Sequence, residues 1–429
     1  MDVIRIEGGH PISGEVTVEG AKNSALKLMA ATIMAPGVAT LTNVPNISDV
    51  HIMGKVLKRL GASITVADEH ELVIDTSGVD KWETPYELVA KMRASTAVLG
   101  PLLARFGEAV VAMPGGCNIG ARKIDLHILG LEALGVKFSV EHGYIHATTP
   151  NGIVGANVLL EFASVGATEN LMMASVHAKG TTVIDNAARE PEIVDLANLL
   201  NEMGAKVRGA GSPTIEIEGV EELHPVESHR VVGDRIEAAT FLAIGGLTGG
   251  PVRVKGFEPV HLGLVLKKFE LMGIEIQRGD HEVTASRTKP LKSVDIQTLP
   301  FPGFPTDVQA QAMCLLSVAE GDCIITENVF ENRFMFASEL DRMGADITIE
   351  GHHAIVHGVP SLSGAQVKSP DLRGGASLAM AGLIADGVTT ISDIHHIDRG
   401  YEGFVEKLQA LGARAERTSI PDPDVELDD

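Results

Sequence analysis

The chain has 429 residues, with 57 acidic side chains against 35 Lys and Arg, a net charge of −22, and 45% of its residues are hydrophobic. This length fits two or three domains, and the composition excludes a disordered chain and a small disulfide-stapled scaffold. A surface this negative repels nucleic-acid phosphates and anionic lipids. We therefore expect neither a nucleic acid nor a membrane as a partner.

The cysteines and the apolar segments indicate the cellular compartment of the protein. Three cysteines are too few for a disulfide framework, which favours a reducing cytoplasm. The longest apolar stretch, 238–247, is about half the length that a bilayer span needs. The first residues also lack the basic and apolar regions of a secretory signal. The sequence therefore predicts a cytoplasmic protein.

One motif recurs along the chain: leucine or methionine, then glycine, then a small or branched residue. Its glycines stand about 70 residues apart, which indicates an internal repeat. An amphipathic helix precedes each glycine and a short strand follows, so each glycine is predicted to end its helix in the left-handed conformation. Six equivalent repeats fill the chain. Their glycines are Gly61, Gly135, Gly204, Gly273, Gly344 and Gly412.

In chain order, a strand at 3–6 comes first, and each repeat is then predicted to contain strand, helix, strand, helix, strand, strand. The first helix of each repeat, as at 24–31, 238–247 and 309–319, is apolar nearly all round. We expect these helices to be buried, with sheets outside them that face solvent on one side. Because six repeats are too many for one core, we expect two lobes of three repeats and a candidate site in the cleft between them.

Basic residues stand at or near the starts of the first helix in some repeats and of the second helix in others, where free N–H groups already favour an anion. A cation there opposes the helix dipole, which suggests that an external anion compensates it. For any one of them an ordinary surface ion pair is the alternative. If the lobes face each other, the cations can converge on a polyanionic small molecule. They are Lys22, Arg93, Arg122, Arg235, Arg333, Arg373 and Arg399.

Two further residues are candidates for the chemistry itself. Asp307 stands at a helix start, where its carboxylate either caps the helix or, among cations, accepts a hydroxyl proton as a general base. Cys117 lies in a glycine-rich loop close to Arg122 and Lys123, which would stabilise a nucleophilic thiolate. The sequence leaves both interpretations of Asp307 open.

The other two cysteines and the histidine pairs do not form a pattern that indicates a reactive or metal-binding site. Cys314 and Cys323 fall in apolar segments and are expected to be inert core residues. The histidine pairs 352–353 and 395–396 lack partners at metal-ligand spacing, and the chain has no Walker loop or dinucleotide-binding motif. Motifs for metal binding and nucleotide binding are therefore mostly absent from the sequence.

Seven short motifs then stand in a specific order, although each alone is a weak signal. They are Gly20-Ala21-Lys22-Asn23, Arg93-Ala94-Ser95, Pro114-Gly115-Gly116-Cys117, Gly120-Ala121-Arg122, Ser164-Val165-Gly166-Ala167-Thr168, Phe304-Pro305-Thr306-Asp307 and His396-Ile397-Asp398-Arg399-Gly400-Tyr401-Glu402. Together they resemble the UDP-N-acetylglucosamine 1-carboxyvinyltransferases, the enolpyruvyl transferases of peptidoglycan synthesis. The resemblance covers nearly the whole chain and ends before the acidic tail.

The resemblance implies a specific α/β architecture, a two-lobed inside-out α/β barrel built from six repeats of about 70 residues. The first lobe would span 22–231 and carry the Cys117 loop. The second would combine 1–21 with 232–420, so that the N-terminal strand returns to it. Residues 421–429 would form a mobile acidic tail.

The resemblance also implies transfer of the enolpyruvyl group of phosphoenolpyruvate to the 3-hydroxyl of UDP-N-acetylglucosamine, with release of phosphate and without a cofactor. Such an enzyme serves peptidoglycan precursor synthesis, and thereby cell shape and division, and is the target of fosfomycin. Cys117, Asp307, Lys22 and Arg399 would be catalytic, with Cys117 donating a proton and Asp307 accepting one.

The remaining roles implied by the resemblance concern binding and support. Lys22, Arg122 and Arg399 would hold phosphoenolpyruvate, Asn23 the sugar, and the backbone of Val329 the acetamide. The uridine and diphosphate would be bound by Arg93, Arg122, Lys123, Ile124, Asp125, Leu126, Phe162, Ala163, Ser164 and Val165. The supporting residues would be Glu190, Arg333, Asp371 and Arg373.

Two alternatives remain open from the sequence. A 3-phosphoshikimate 1-carboxyvinyltransferase would share the fold and the cations, but we expect it to lack the loop cysteine and the Ser164 segment. A sliding clamp is also acidic and repetitive. It would need a basic bore and would have no use for Cys117 or Asp307.

Overall fold

A computed structural model describes residues 1–84, 86–89, 93–113 and 124–421, with the backbone alone for residues 89 and 93–95. The described chain divides into two compact units. The first unit comprises the described residues between 19 and 232, and the second comprises Met1–Val18 together with 233–421. These limits lie within a few residues of the predicted lobe boundaries.

The strands are short, and each described strand contains two to six residues. In the described part of the chain they are β1 Asp2–Glu7, β2 Gly14–Thr17, β3 Val38–Thr42, β4 Ser63–Asp68, β5 Glu71–Asp75, β6 Glu108–Ala112, β7 Lys137–Glu141, β8 Tyr144–Thr148, β9 Asn157–Leu159, β10 Thr181–Asp185, β11 Lys206–Arg208, β12 Thr214–Glu218, β13 His229–Arg230, β14 Val252–Lys255, β15 Glu275–Arg278, β16 Glu282–Ser286, β17 Ile296–Gln297, β18 Asp322–Thr326, β19 Asp346–Glu350, β20 His353–His357, β21 Gln366–Lys368, β22 Val388–Ser392 and β23 Arg414–Ser419.

The helices alternate with these strands. Over the same residues the α-helices are α1 Lys22–Ala31, α2 Ser48–Leu60, α3 Tyr86–Val89, α4 Leu99–Phe106, α5 Asp125–Ala133, α6 Val165–Ser175, α7 Pro191–Glu202, α8 Arg235–Thr248, α9 Gly263–Leu271, α10 Gln309–Leu316, α11 Ala337–Arg342, α12 Leu372–Ile384 and α13 Phe404–Ala410. Short 3₁₀ helices are Thr32–Met34, Arg93–Val98, Pro259–Leu262, Thr306–Val308 and Ile394–Arg399.

Each repeat contributes one small sheet with the same strand order. The first unit contains the sheets β13-β3-β5-β4, β6-β8-β7 and β9-β10-β12-β11, and the second contains β2-β14-β16-β15, β17-β18-β20-β19 and β21-β22-β1-β23. In the four-stranded sheets the first two strands are parallel and the others antiparallel. The α/β architecture of six repeats predicted from the sequence is thus confirmed.

Three described strands pair with distant parts of the chain, and one of them is β2, which pairs in parallel with β14. β1 pairs antiparallel with both β22 and β23, so the N-terminus completes the sixth sheet. β13 pairs in parallel with β3, so a strand at the end of the first unit completes the first sheet. In each unit, a strand from one end of its sequence therefore completes the sheet formed at the other end.

The first helix of each repeat is buried, as its apolar circumference predicts. In the second unit, α8, α10 and α12 pack on one another, and nearly every residue of the three helices is buried. In the first unit, α4 packs against α6, which is buried from Ala167 to Ser175. The sheets lie outside, with alternating burial as in β12 and β20. None of the helices in the described ranges is long and apolar enough to cross a membrane.

The recurring glycines end their helices as predicted. All six have positive φ, between 91° at Gly135 and 112° at Gly61. The residue after each glycine donates its N–H to a carbonyl five positions back, as from Ile274 to Phe269 at 3.0 Å. This arrangement satisfies carbonyls that the helix end would leave open.

A matched pair of substitutions tests the role of the repeat glycines. Gly344 has φ +93°, and the nearest atom to an added Cβ is Ser363 Oγ at 3.9 Å, so Gly344→Ala changes the backbone preference without a clash. We expect it to lower the free energy of unfolding, measured by urea denaturation, by about 1 kcal/mol.

Gly263→Ala is the control. Gly263 has φ −46° at the start of α9, with nothing within 4 Å of an added Cβ, so the substitution is expected to be neutral or stabilising. Equal effects of the two substitutions would show that the left-handed conformation at the repeat glycine contributes nothing.

Candidate functional site

The predicted site residues fall into three groups. Cys117, Arg122 and Lys123 lie outside the described residues, and Arg93 is described by its backbone alone, in the 3₁₀ helix Arg93–Val98. Of the others, Lys22, Asn23, Glu190 and the segments 124–126 and 162–165 belong to the first unit. Asp307, Val329, Arg333, Asp371, Arg373 and Arg399 belong to the second.

In the first unit, Lys22 is the first residue of α1, and Ala21 before it provides no side-chain cap. Its Nζ lies 2.9 Å from Oδ2 of Asp49, a buried residue in the first turn of α2. The cation that opposes the α1 dipole is thus partly compensated within the protein. Asn23 follows Lys22 and is half-buried.

The segment before α6 presents a helix N-terminus. Ser164 is the N-cap, and its Oγ accepts a hydrogen bond from the N–H of Ala167 at 3.3 Å. Phe162 is exposed, while Ala163 and Val165 are half-buried. An eleven-residue helix with its first turn partly open to solvent is suited to binding an anion.

A histidine that the sequence did not single out lies at the same place. Asn170 Oδ1 accepts from the N–H of Gly100 at 2.7 Å, which directs Nδ2 towards His127 Nδ1 at 3.1 Å. His127 Nδ1 is therefore the acceptor, and Nε2 carries the proton. Burial lowers the pKa of His127 to about 4, and nearby Lys27 acts in the same direction, so the ring is neutral at physiological pH.

The position of His127 places this N–H donor beside the start of α6. A Cβ added to Gly166 would lie 3.1 Å from both Cε1 and Nε2 of the ring. His127 is in the first turn of α5, which begins at Asp125, and Asp125 Oδ1 accepts from the N–H of Leu126 at 3.0 Å. The starts of α5 and α6 thus place uncharged hydrogen-bond donors close to one another.

In the second unit, three aspartates occupy equivalent positions at the starts of the central helices. Asp234 caps α8 by accepting from the N–H groups of Ile236 and Glu237 at 2.8 and 3.0 Å. Asp371 caps α12 by accepting from those of Arg373 and Gly374 at 2.9 and 3.2 Å. The third aspartate, Asp307, belongs to the 3₁₀ turn before α10.

Asp307 is not a helix cap. Neither the turn Thr306–Val308 nor α10 has a side-chain cap. The carboxylate instead pairs with two guanidinium groups, Oδ1 with Arg333 Nη2 at 2.7 Å and Oδ2 with Arg373 Nη2 at 3.5 Å. The capping interpretation that the sequence left open is therefore wrong for this residue.

Burial makes this cluster electrostatically strong. The side chains of Arg333 and Arg373 are each 4% exposed, whereas that of Asp307 is 25% exposed. Burial opposes the charge on Arg373, but interactions with Tyr401, Asp307 and Asp234 outweigh it and raise the pKa of its guanidinium. The partly exposed carboxylate is thus paired with two almost fully buried positive charges.

Aromatic rings support the arginines of this unit. The guanidinium carbon of Arg373 lies 5.3 Å from the ring centre of Tyr401, and that of Arg333 lies 5.6 Å from the ring centre of Phe330. Arg235, at the start of α8, lies 5.5 Å from the ring of Phe301. Such stacking fixes a guanidinium without competing for its N–H donors.

Buried Glu327 organises the segment around Val329. Its Oε1 accepts from the N–H of Val329 at 2.8 Å, and its Oε2 accepts from the hydroxyl of Thr306 at 3.0 Å. Because the N–H of Val329 is engaged inside the protein, its carbonyl is the backbone group suited to a ligand. Glu327 thus links this segment to the residue next to Asp307.

The remaining predicted residues have partly buried positions. Arg399 ends the 3₁₀ helix Ile394–Arg399 and is half-buried. Burial lowers the pKa of the neighbouring His396, and the charges of His395 and Arg399 lower it further. Glu190 precedes α7 without capping it.

The cysteine prediction is confirmed for the two described cysteines. Cys314 and Cys323 are free and buried, and burial raises the pKa of each thiol to about 12. A thiolate is therefore inaccessible at either position at neutral pH. Convergence of all seven cations on one cleft involves both units and stays a prediction.

Comparison with known proteins agrees with these features. A family model described as EPSP synthase (3-phosphoshikimate 1-carboxyvinyltransferase) matches residues 6–408. UDP-N-acetylglucosamine 1-carboxyvinyltransferase 2 of Carboxydothermus hydrogenoformans is 52% identical over 98% of this chain and 100% of its own length. The UDP-N-acetylglucosamine 1-carboxyvinyltransferase of Geotalea uraniireducens is 51% identical over 96% of this chain and 98% of its own. The chain belongs to the enolpyruvyl transferase family.

Solved structures of this family have the same fold. The enolpyruvyl transferase NikO from Streptomyces tendae matches with a TM-score of 0.88 at 27% identity, over 98% of this chain and 99% of that chain. An EPSP synthase from Acinetobacter baumannii matches with a TM-score of 0.76 at 20% identity, over 98% and 100%. The second likeness concerns the fold alone.

Proposed function

We propose that this chain transfers the enolpyruvyl group of phosphoenolpyruvate to the 3-hydroxyl of UDP-N-acetylglucosamine and releases phosphate. The observation that carries the chemistry is the carboxylate of Asp307, which is partly exposed and paired with two buried guanidiniums. Its equivalents Asp234 and Asp371 are occupied as helix caps, so Asp307 is the one of the three that is suited to accept a proton. The choice of substrates is supported by relatives that match over nearly the whole chain at about half identity.

The charges of the substrates explain the need for so many cations. Phosphoenolpyruvate and a nucleotide diphosphate carry several negative charges, which a site without a metal must hold with Lys and Arg. Lys22, Arg122 and Arg399 would hold the phosphate and carboxylate of phosphoenolpyruvate. Ion pairing of Lys22 with Asp49 fixes the ammonium while leaving it able to donate.

The nucleotide sugar would be bound mainly by the first unit. The N–H groups at the start of α6, next to Ser164, and the neutral donor of His127 suit a diphosphate. Arg93, Arg122 and Lys123 would add charge. Further uridine contacts would come from Ile124, Asp125, Leu126, Phe162, Ala163 and Val165. Asn23 would contact the sugar, and the carbonyl of Val329 would accept from the acetamide N–H.

The reaction would proceed by addition and elimination. Cys117 donates a proton to the methylene carbon of phosphoenolpyruvate, which makes the neighbouring carbon electrophilic. The 3-hydroxyl oxygen attacks that carbon and loses its proton to Asp307. The thiolate of Cys117 then takes a proton back from the new methyl group of the tetrahedral intermediate while the C–O bond to phosphate breaks, which restores the double bond and the thiol.

Four residues would support the reacting groups. Arg333 and Arg373 pair with the carboxylate of Asp307, and Asp371 fixes the first turn of the helix that carries Arg373. Glu190 would support the site from the start of α7. Peptidoglycan precursor synthesis in the cytoplasm, with effects on cell shape and division, and inhibition by fosfomycin belong to the same proposal.

A substrate-dependence assay tests the activity. We expect the purified chain to release phosphate when phosphoenolpyruvate and UDP-N-acetylglucosamine are both present, but not with either alone, because the intermediate needs both. EDTA is expected to leave the rate unchanged, since Lys and Arg supply the opposing charge. Phosphate release and a UDP-enolpyruvyl product in mass spectrometry are the measurements.

The family model's own description makes shikimate 3-phosphate the second candidate acceptor. The same assay therefore includes it in place of the nucleotide sugar. Phosphate release with shikimate 3-phosphate, and none with UDP-N-acetylglucosamine, would replace the proposed function by that alternative.

Labelling by fosfomycin tests the role of the loop cysteine. The unmodified chain is expected to gain one fosfomycin adduct in mass spectrometry, and Cys117→Ala is expected to gain none, because the other two thiols are buried and protonated. Cys323→Ala is the matched control and should label fully. A Cys117→Ala protein that still forms the adduct would place the nucleophile elsewhere.

A further inference from the structure

We propose that Tyr401 is a positioning residue, whose hydroxyl and ring hold Arg373 in the orientation that presents Asp307 to the substrate hydroxyl. This inference rests on the proposed function for its kinetic consequences. Its structural consequence, the dependence of Asp307 on Tyr401, can be measured without turnover.

Tyr401 lies at a junction of the three central helices of the second unit. Its hydroxyl is 2.8 Å from Oγ1 of Thr240 on α8 and 3.4 Å from Nε2 of Gln311 on α10. Its ring lies against the guanidinium of Arg373 on α12. Thr240, Gln311, Arg373 and Tyr401 are all buried. A single side chain thus contacts equivalent helices from three repeats.

The direction of each hydrogen bond can be assigned. The carbonyl of Ile236 can only accept, so Thr240 donates its single hydroxyl proton to it at 3.0 Å. Thr240 Oγ1 must then accept from Gln311 Nε2 at 2.9 Å and from the hydroxyl of Tyr401. The proton of Tyr401 is therefore directed at Thr240, which leaves the lone pairs of the phenol oxygen for donors.

Arg373 is the charged group that lies against the ring carrying that oxygen. The interaction between the Tyr401 hydroxyl and the guanidinium favours the charged form of Arg373, while burial raises the pKa of Tyr401 and keeps its ring neutral. Within the described residues, Nη1 of Arg373 is buried without a hydrogen-bond partner. The guanidinium thus depends for its orientation on few contacts, of which Asp307 and Tyr401 are two.

Arg373 transmits this orientation to the base. Its Nη2 is 3.5 Å from Oδ2 of Asp307, near the limit of a hydrogen bond, whereas Arg333 lies at 2.7 Å from Oδ1. A small displacement of the guanidinium therefore weakens the Arg373 contact more readily than the Arg333 contact. Loss of the Tyr401 hydroxyl should then leave the carboxylate less stabilised and less well directed.

Tyr401→Phe is the decisive variant because it keeps the ring and its packing against Phe404, 5.1 Å away between ring centres. We expect kcat to fall about tenfold while KM for each substrate stays within about twofold, since the hydroxyl acts on the base rather than on binding. The acid limb of the pH profile of kcat is expected to move to higher pH. Thr240→Val should produce the same shift, and the two substitutions together should be non-additive.

Titration of Asp307 itself supplies the readout without substrates. Aspartate carboxyl groups are labelled with ¹³C, and the Asp307 resonance is assigned by its loss in Asp307→Asn. The midpoint of its titration is expected to rise by about half a unit to one unit in Tyr401→Phe, because weakened pairing with a cation favours the protonated form. Tyr86→Phe, on the exposed surface of α3, is the matched control and should leave kcat and the titration unchanged.

The outcomes separate the two proposals. If the unmodified chain shows no turnover with the proposed substrates, the proposed function fails, and the titration still tests Tyr401. An unchanged Asp307 titration in a folded Tyr401→Phe protein overturns the positioning role. A lower kcat with an unshifted pH profile, or a loss of stability with unchanged kcat, would also overturn it, because the hydroxyl would then serve only structure.

Discussion

The site depends on one electrostatic constraint: a partly exposed carboxylate, Asp307, held between two almost fully buried guanidiniums. Two buried positive charges are costly unless anions face them. Asp307 pairs with both guanidiniums, and Asp234 also acts on the charge of Arg373. This pairing fixes the carboxylate that is proposed to accept the proton.

The repeats show how one helix start can serve different purposes. Asp234 and Asp371 cap their helices, and the cations that follow them, Arg235 and Arg373, are fixed by aromatic rings. At the third equivalent start a 3₁₀ turn precedes α10, and Asp307 is released from capping. The fold supplies three similar positions, and the local turn geometry decides which of them is available for chemistry.

Local sequence signals predicted the repeated architecture well. The glycine motif, the helix before it and the strand after it are all encoded within a few residues, and the structure has positive φ at each glycine. The central helices are apolar nearly all round, which likewise predicted that they are buried. The helix α10 ends at Leu316, however, and not at the predicted residue 319. The prediction that the N-terminal strand returns to the second lobe came from the resemblance to the family, since nothing near β1 identifies its partners β22 and β23.

The site was predictable in its residue types but not in its pairings. An aspartate at a helix start has the same local sequence whether it caps or reacts, and the contacts that distinguish them come from Arg333 and Arg373, 26 and 66 positions away. Tyr401 belongs to a recognised motif, yet its partner Thr240 is 161 positions away. His127 and Glu327 were also missed. Two sequence signals were available. His127 directly follows Leu126, which was predicted to bind the substrate, and Glu327 directly follows the strand β18.

The central claim is that Asp307 accepts the proton of the attacking hydroxyl. The most direct measurement compares Asp307→Asn with the unmodified chain in single-turnover phosphate release and in equilibrium binding of UDP-N-acetylglucosamine. The amide keeps the size of the side chain but cannot take the proton, so the rate should fall by about 10²- to 10⁴-fold while the Kd stays within a few-fold. A rate within tenfold of the unmodified chain, with binding intact, would contradict the account.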